Sequence, residues 1–439
     1  MQSSNLHSFV MGAPMLKEFS VNFSNFLLSL SDAIDLANSQ IASHQMRTAF
    51  IAWQIGKAAT LAKKRIENLF IAALFHDIGA LSLEDKIDLH RFEKVDVDTH
   101  CILGEALFEL TPLFAPAKKI VRDHHKPWRL WDASIDTPEI LEAQILNLAD
   151  YLERLIDRNR YILHQVDGLE EKILSLAGGQ IHPDVVNVFM GISGREDFWL
   201  DVSSPRLYSI LLHSGPFRGM EIHYDNIFSI AALFRNTIDF KSRFTATHST
   251  GVAECAVILS RIFGLTEAEI MHMELAGYFH DLGKLAVPNG ILEKPGKLTK
   301  DEFAVMRQHT YFTYTVLNSI GGLNHIAELA AFHHEKLDGS GYPFHIGAEK
   351  IDTGARIMAV SDIFTAIAED RPYRKGMERK KIESVLRAQV ENNALDQRIV
   401  NLLIENFEEI SIQVREKQLV SREIFEIKFS NLQQDTTEY

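Results

Sequence analysis

Two cysteines in 439 residues, Cys101 and Cys255, one in each half, leave no material for a disulfide framework. No apolar run approaches the roughly 18 residues that a membrane helix needs. The amino terminus, Met1-Gln2-Ser3-Ser4, has neither the basic stretch nor the apolar core of a secretory signal. Basic residues are outnumbered 45 to 59, for a formal charge of −14. DNA and RNA are held largely through Lys and Arg on phosphates, so this balance argues against a nucleic-acid polymer as partner. It leaves open a small anion in a local basic pocket. These absences point to a cytoplasmic protein without a membrane partner. Whether it forms a homo-oligomer, and which signalling partners it meets, stays open. The length accommodates two full domains.

What the chain does have is a repeat. His44, His76-Asp77, His100, His124-His125 and Asp150 recur as His248, His280-Asp281, His309, His333-His334 and Asp362. The first His precedes the His-Asp pair by 32 residues in both halves, and the third His precedes the double His by 24 in both. Ordered self-similarity of this kind marks a tandem of two domains. A further Asp follows 34 residues after each last one, Asp184 after Asp150 and Asp396 after Asp362, so the repeat covers whole domains.

Most segments read as helices, and the fold class expected is all-α with two tandem helical domains. Thr266-x-x-Glu269 is a capping box, flanked by Leu265 and Ile270 as a hydrophobic staple, and it opens the helix leading to His280. Thr299-x-x-Glu302 is a second box before His309. Apolar residues at helical spacing surround Asp150, and Asp362 lies in a comparable stretch from Ile357 to Ala368. Helical period fades over 191–225, which carries Gly191, Gly194, Pro205, Gly215, Pro216 and Gly219 and reads as an ordered connection. The division expected is an extension over 1–30, a first domain over 31–190, the connection, a second domain over 226–410 and a tail over 411–439. Alternation at Phe19, Val21, Phe23 and at Phe425, Ile427, Phe429 suggests a small β-ribbon joining the chain ends.

Taken singly, each His or Asp would be read as an ion pair or a cap. Reused as a set in one order, they point to a metal site, since buried carboxylates need cationic partners. Mixed imidazole and carboxylate donors suit Fe, Mn, Ni or Zn better than Mg or Ca. A pair of such ions with Asp281 spanning them would activate water against a phosphoester. Neighbouring helical residues point about 100° apart, so His280 and Asp281 would flank ions lying against the helix side.

The second copy resembles the HD-GYP phosphodiesterases, a branch of the HD phosphohydrolases. The stretches that carry the resemblance are HDLGK (280–284), ILEKPGKLT (291–299), HHEKLDGSGYP (333–343) and DRPYR (370–374), in the family's order. The resemblance implies hydrolysis of a 3′,5′-cyclic dinucleotide. The ligands of two divalent transition-metal ions, Fe, Mn or Ni rather than Mg, would be His248, His280, Asp281, His309, His333, His334 and Asp362. Lys284 would be the cation at the scissile phosphate, donating a proton to the departing ribose oxygen. Gly339 and Gly341 would let the loop fold over the ligand, and Tyr342 would offer a face to a purine. Arg371 and Arg374 would grip phosphates; Lys294 and Lys297 are weaker candidates. Members with three metals carry a Glu four residues before the first His. Phe244 stands there, so two ions are expected and cleavage that stops mainly at the linear dinucleotide.

The first copy keeps His44, His76, Asp77, His100, His124, His125 and Asp150 as potential ligands of a further metal site. It reads HDIGA over 76–80, with Ala80 in place of the lysine, and Lys126-Pro127-Trp128 follows the double His instead of a glycine loop. Removal of a 5′-phosphate from the linear product, a regulatory role and a structural metal site are equally weighted expectations for it. A plain HD domain followed by HD-GYP resembles bacterial phosphodiesterases specific for 3′3′-cGAMP, which is slightly favoured over cyclic di-GMP. The rivals are a cyclic di-GMP-specific enzyme, a non-catalytic cyclic-dinucleotide receptor and an HD enzyme acting on nucleoside polyphosphates.

Overall fold

The computed structural model of the chain describes residues 19–36, 41–91, 98–241, 247–370 and 375–429, with 83–85, 424–425 and 427–429 described by backbone alone. The fold is all-α apart from one short ribbon. The first half holds α1 (Phe23–Asp35), α2 (His44–Ala58), α3 (Lys63–Leu74), α4 (Leu83–His90), α5 (Asp98–Glu109), α6 (Lys118–Asp123) and α7 (Ile140–Leu155). After them come α8 (Val166–Ser175), α9 (Pro183–Ser193), α10 (Glu196–Val202) and α11 (Leu207–Ser214). The second half holds α12 (Tyr224–Lys241), α13 (His248–Phe263), α14 (Glu267–Phe279), α15 (Asn289–Leu292), α16 (Lys300–Asn318), α17 (Asn324–Ala331) and α18 (Thr353–Ala368). It ends with α19 (Arg379–Glu391), α20 (Gln397–Glu405) and α21 (Phe407–Phe429). None of the described helices is long and apolar enough to cross a membrane.

Local chemistry sets the helix starts that matter for the sites. Both expected capping boxes form: the Thr266 hydroxyl accepts from Glu269 N while Glu269 accepts from Thr266 N, and Thr299 and Glu302 do the same. Ile270 is buried and Leu265 packs half-buried against the core. Asp35 accepts from Gln45 N at the start of α2, as Asp239 does from Ser249 N at the start of α13.

The ribbon differs from its expected form. β1 (Ser20–Asn22) pairs antiparallel with β2 (Glu221–His223), Val21 opposite Ile222. It ties the start of the chain to the segment between the halves, not to the other end. Residues 425–429 continue α21 instead. Adding residues to a helix already nucleated at Phe407 is easy, and three alternating apolar residues do not outweigh it.

β1 leads into α1 and β2 into α12, so the two strands meet about a pseudo-two-fold axis. The helices that follow cross over: α1 packs on α2 of its own half and also on α16 and the 282–286 segment of the other, while α12 touches α5 of the first half. Phe75 against Phe234, at 5.9 Å between ring centroids, carries the apolar core across both halves, and Phe23 against Phe217, at 4.7 Å, joins α1 to the connection.

Candidate metal centres

The second-half centre is assembled from four helices and two short 3-10 turns. His248 opens α13, His309 sits inside α16, Asp362 inside α18, and His333 and His334 close a 3-10 turn after α17. The α14 helix stops at Phe279, His280 is its cap, and Asp281 leaves helical geometry at φ −100° and ψ 12°. This corrects the expected 100° divergence: because the helix ends there, both side chains reach one point, with His280 Nε2 3.2 Å from Asp281 Oδ2. The other Asp281 oxygen lies 3.5 Å from His309 Nε2. Two triads result, His248–His280–Asp281 and His309–His333–His334, and Asp281 stands between them. His248 Nε2 is 3.1 Å from Asp362 Oδ1, and His334 Nδ1 is 4.0 Å from Asp362 Oδ2.

Backbone carbonyls fix the ring tautomers. His280 Nδ1 donates to Gly277 O, His309 Nδ1 to Met306 O and His333 Nδ1 to Ala330 O, at 2.8, 2.7 and 2.7 Å. Each Nε2 is then left with a lone pair aimed inward. The Nε2 lone pairs of His309 and His333 face each other at 3.4 Å. The His280 lone pair, buried and without a hydrogen-bond partner, faces a carboxylate. Such contacts repel unless a cation lies between them, so the donor set fits divalent metal.

The electrostatics agree. Burial pushes His309 down to about 3 and His333 well below the usual imidazole range, which keeps both rings neutral. Burial would raise Asp281, but the His280 ring and the Lys284 ammonium outweigh it and hold it well below the carboxylate range. His248 is the exception: against the pull of burial, Asp362 and Glu369 raise it to about 10. Metal ligation would displace that proton.

Around the triads lie residues the sequence did not single out. Glu369 Oε2 backs His248 Nδ1 at 3.7 Å, and Thr247 Oγ1 and Gln418 Nε2 donate to its other oxygen. Thr313 Oγ1 donates to His280 O and accepts from Gly283 N, which pins the 3-10 turn to α16. Thr313 stands four residues after His309, a spacing that could have flagged it. Lys284 Nζ donates to Asp281 Oδ2, so its ammonium sits on the shared carboxylate. Gly341 has no room for a side chain, since a Cβ would lie 2.4 Å from Glu335 Cα. With Gly339 at φ 76°, the loop folds back and the Tyr342 ring lies tilted against His334 at 4.9 Å. Phe303 and the Arg307 guanidinium, each 6.0 Å from the Tyr342 ring, extend this wall. Lys294 is engaged by Glu302, and Lys297 is exposed. Phe244, Arg371 and Arg374 lie outside the described residues.

The first half repeats the plan. His44, His76 and Asp77 form one group, and Asp77, His100, His124 and His125 another. Asp77 is again shared, 3.3 Å from His76 Nε2 through one oxygen and 3.6 Å from His100 Nε2 through the other. Asp150 Oδ1 lies 3.4 Å from His44 Nε2, and Asp150 Oδ2 lies 3.9 Å from His125 Nδ1. His76 and His124 donate Nδ1 protons to Ala73 O and Val121 O, leaving lone pairs inward as before. Glu153 accepts from His44 Nδ1 and is itself held by Arg47 and Arg158. Burial pushes His124 down to about 3.

Comparison with known proteins agrees with this geometry. Residues 41–155 and residues 232–399 each match the HD domain family. The chain belongs to the HD-domain proteins and carries two copies of the domain. It is 29% identical over 399 residues to the 3′3′-cGAMP-specific phosphodiesterase 1 of Vibrio cholerae, covering 89% of this chain and 93% of that one. It is 27% identical to the 3′3′-cGAMP-specific phosphodiesterase 3 of the same organism, covering 81% of this chain and 88% of the relative. A cyclic di-GMP phosphodiesterase of Pseudomonas aeruginosa is 40% identical over 136 residues, 30% of this chain and 32% of the relative. The crystal structure of a cyclic GMP-AMP-specific phosphodiesterase of V. cholerae superposes with a TM-score of 0.61 at 21% identity, over 89% of this chain and 98% of that one. It shares the fold.

Proposed function

We propose that the chain is a metal-dependent phosphodiesterase that opens a 3′,5′-cyclic dinucleotide to the linear 5′-phosphorylated dinucleotide, with 3′3′-cGAMP favoured over cyclic di-GMP. Its catalytic domain is the stretch 226–410. The observation that carries the reading is Asp281, which joins the His248–His280 pair to the His309–His333–His334 triad and carries the Lys284 ammonium on one of its oxygens. Whole-length similarity to 3′3′-cGAMP-specific enzymes, against partial coverage of a cyclic di-GMP enzyme, supports the order of substrates. Two divalent ions, Fe, Mn or Ni, would be held by His248, His280, Asp281, His309, His333, His334 and Asp362. They would lower the pKa of a water and screen the phosphate charge.

The chain's own groups supply the rest. Lys284 holds a proton beside the shared carboxylate, where it can pass to the departing ribose oxygen. Tyr342 presents a ring to a purine, a contact worth roughly 1–3 kcal/mol, and Arg307 gives that wall positive charge. Arg371 and Arg374 are kept as phosphate contacts on the strength of the resemblance alone. Incubating the purified, metal-loaded protein with 3′3′-cGAMP, cyclic di-GMP and cyclic di-AMP tests the reading, with products resolved by chromatography. Linear dinucleotide from 3′3′-cGAMP ahead of the others is expected. Turnover unchanged by His280→Ala with Asp281→Ala would end the proposal, and binding without hydrolysis would make the protein a receptor.

A further inference from the structure

Lys241 is a buried cation outside both sets of ligands. It closes α12, is 3% exposed, and its Nζ donates to Leu285 O at 2.8 Å. Burying an ammonium is costly unless a polar partner meets it. The partner here is the turn that carries Lys284. Over Leu282–Ala286 the chain runs as a 3-10 turn, with Lys284 N bonded to Asp281 O at 2.8 Å and Val287 N to Lys284 O at 3.0 Å. The next bond of that series would run from the amide of residue 288 to Leu285 O. Residue 288 is Pro, which has no N–H. Leu285 is buried, so its carbonyl needs a donor from elsewhere, and the Lys241 ammonium is that donor. Charge-assisted bonds of this kind are the strong ones. Asn289 Nδ2 donates to Lys241 O at 3.0 Å and ties the two segments a second time.

The first half lacks this device. Asp35 and Asp239 each stand nine residues before the first His and accept from the amide that follows it, so the halves align there without a gap. In that register the residue seven before the first His is Lys241 in the second half and Ala37 in the first. The residue eight after the second His is Pro288 in one and Glu84 in the other. Lys241, Lys284 and Pro288 thus occur together, and so do Ala37, Ala80 and Glu84. The buried lysine of the first half, Lys86, donates to Ile34 O at 2.9 Å, on α1, instead of to the turn after its His-Asp pair. The helix that delivers Lys241 is itself anchored against the first half, where its buried Phe234 meets Phe75 beside His76.

We propose that Lys241 is a positioning residue for the reaction: it holds the Leu285 carbonyl and so fixes the turn from which Lys284 reaches Asp281 Oδ2 and the departing ribose oxygen. It is not among the metal ligands and acts through Lys284. The inference rests on the phosphodiesterase reading of the second half.

Lys241→Met keeps a long unbranched stem and removes the donor. In the full, metal-loaded chain it should lower kcat for the cyclic dinucleotide that the parent hydrolyses fastest by about 10–10²-fold, with KM and metal content at parental values. Made in Lys284→Ala, the same change should cost nothing further, because residues that act as a unit are not additive. Amide hydrogen exchange over 282–286 should quicken in Lys241→Met, with or without turnover. Asn289→Ala, a milder change at a half-buried position, should lower kcat in the same direction and carries the test if Lys241→Met does not fold; parental kcat in that variant then overturns the proposal. So does parental kcat in a folded Lys241→Met, an equal fold-loss with and without Lys284, or unchanged exchange over 282–286. A parental chain inactive on every cyclic dinucleotide overturns the phosphodiesterase reading instead, and the exchange measurement alone then decides whether Lys241 holds the turn.

Discussion

Lys284 and Gly283 are neighbours with opposite kinds of importance. The lysine touches the shared carboxylate without being a metal ligand, so Lys284→Ala should leave the metal content intact while lowering kcat by about 10²–10⁴-fold. Metal analysis beside steady-state kinetics checks this, and loss of metal together with activity would make Lys284 a structural residue instead. Gly283 acts through space: a Cβ there would stand 2.0 Å from His309 O. Gly79 in the first half meets His100 O at 2.1 Å in the same way. The carbonyl belongs to α16 and cannot step aside, so Gly283→Ala must push Asp281 away from His309. A cost toward the upper end of the roughly 1–3 kcal/mol of overpacking is expected, with loss of bound metal. Thermal unfolding and metal analysis would read it; an unchanged Tm with full metal would contradict it. The ligand types and their order were legible in the sequence because metal chemistry restricts them to His and Asp. Glu369, Thr313 and Arg307 were not, because a carboxylate, a hydroxyl and a guanidinium each have many other uses, and only the fold brings them to the site.

At the level of elements, the capping boxes at Thr266 and Thr299 were readable because the whole motif lies within four residues. The ribbon was half readable. Val21 shows in a short alternation, but its partner strand Glu221–His223 has one apolar residue, Ile222, and no pattern announces it. Nor does sequence announce that α1 belongs to both halves. Ser29 on α1 bonds both Tyr208 and Ser319, each at 2.9 Å, α1 also packs on the far 282–286 segment, and its Phe26 is fully buried. Emptying the Phe26 site should cost about 3–5 kcal/mol. Phe26→Ala should therefore speed amide hydrogen exchange in two places, 44–50 at the start of α2 and 282–286 in the other half. Exchange that rises only in the first half would mean that α1 is not a shared support.

For the molecule as a whole, the pseudo-two-fold ribbon and the crossed helices make the chain resemble a dimer whose subunits have been joined. One half has the lysine and the glycine loop; the other has the ligand set without them. The apolar core does not stop at the boundary, as Phe75 against Phe234 attests. Cutting the chain before α12 would bare the surfaces of α16 and 282–286 that α1 covers, including the segment that carries Lys284. Uncovered apolar area costs roughly 25 cal/mol per Å² and invites self-association. The fragment 224–439, expressed alone, should melt well below the full chain, turn over more slowly and associate at micromolar concentration. Adding a separate fragment 1–223 should restore part of the loss. Calorimetry of the intact chain should correspondingly give one transition, not two, because neither half has a complete core without the other. Two separated transitions, or a fragment 224–439 as stable and active as the full chain, would show instead that the halves are independent and that α1 lies on its neighbour without supporting it.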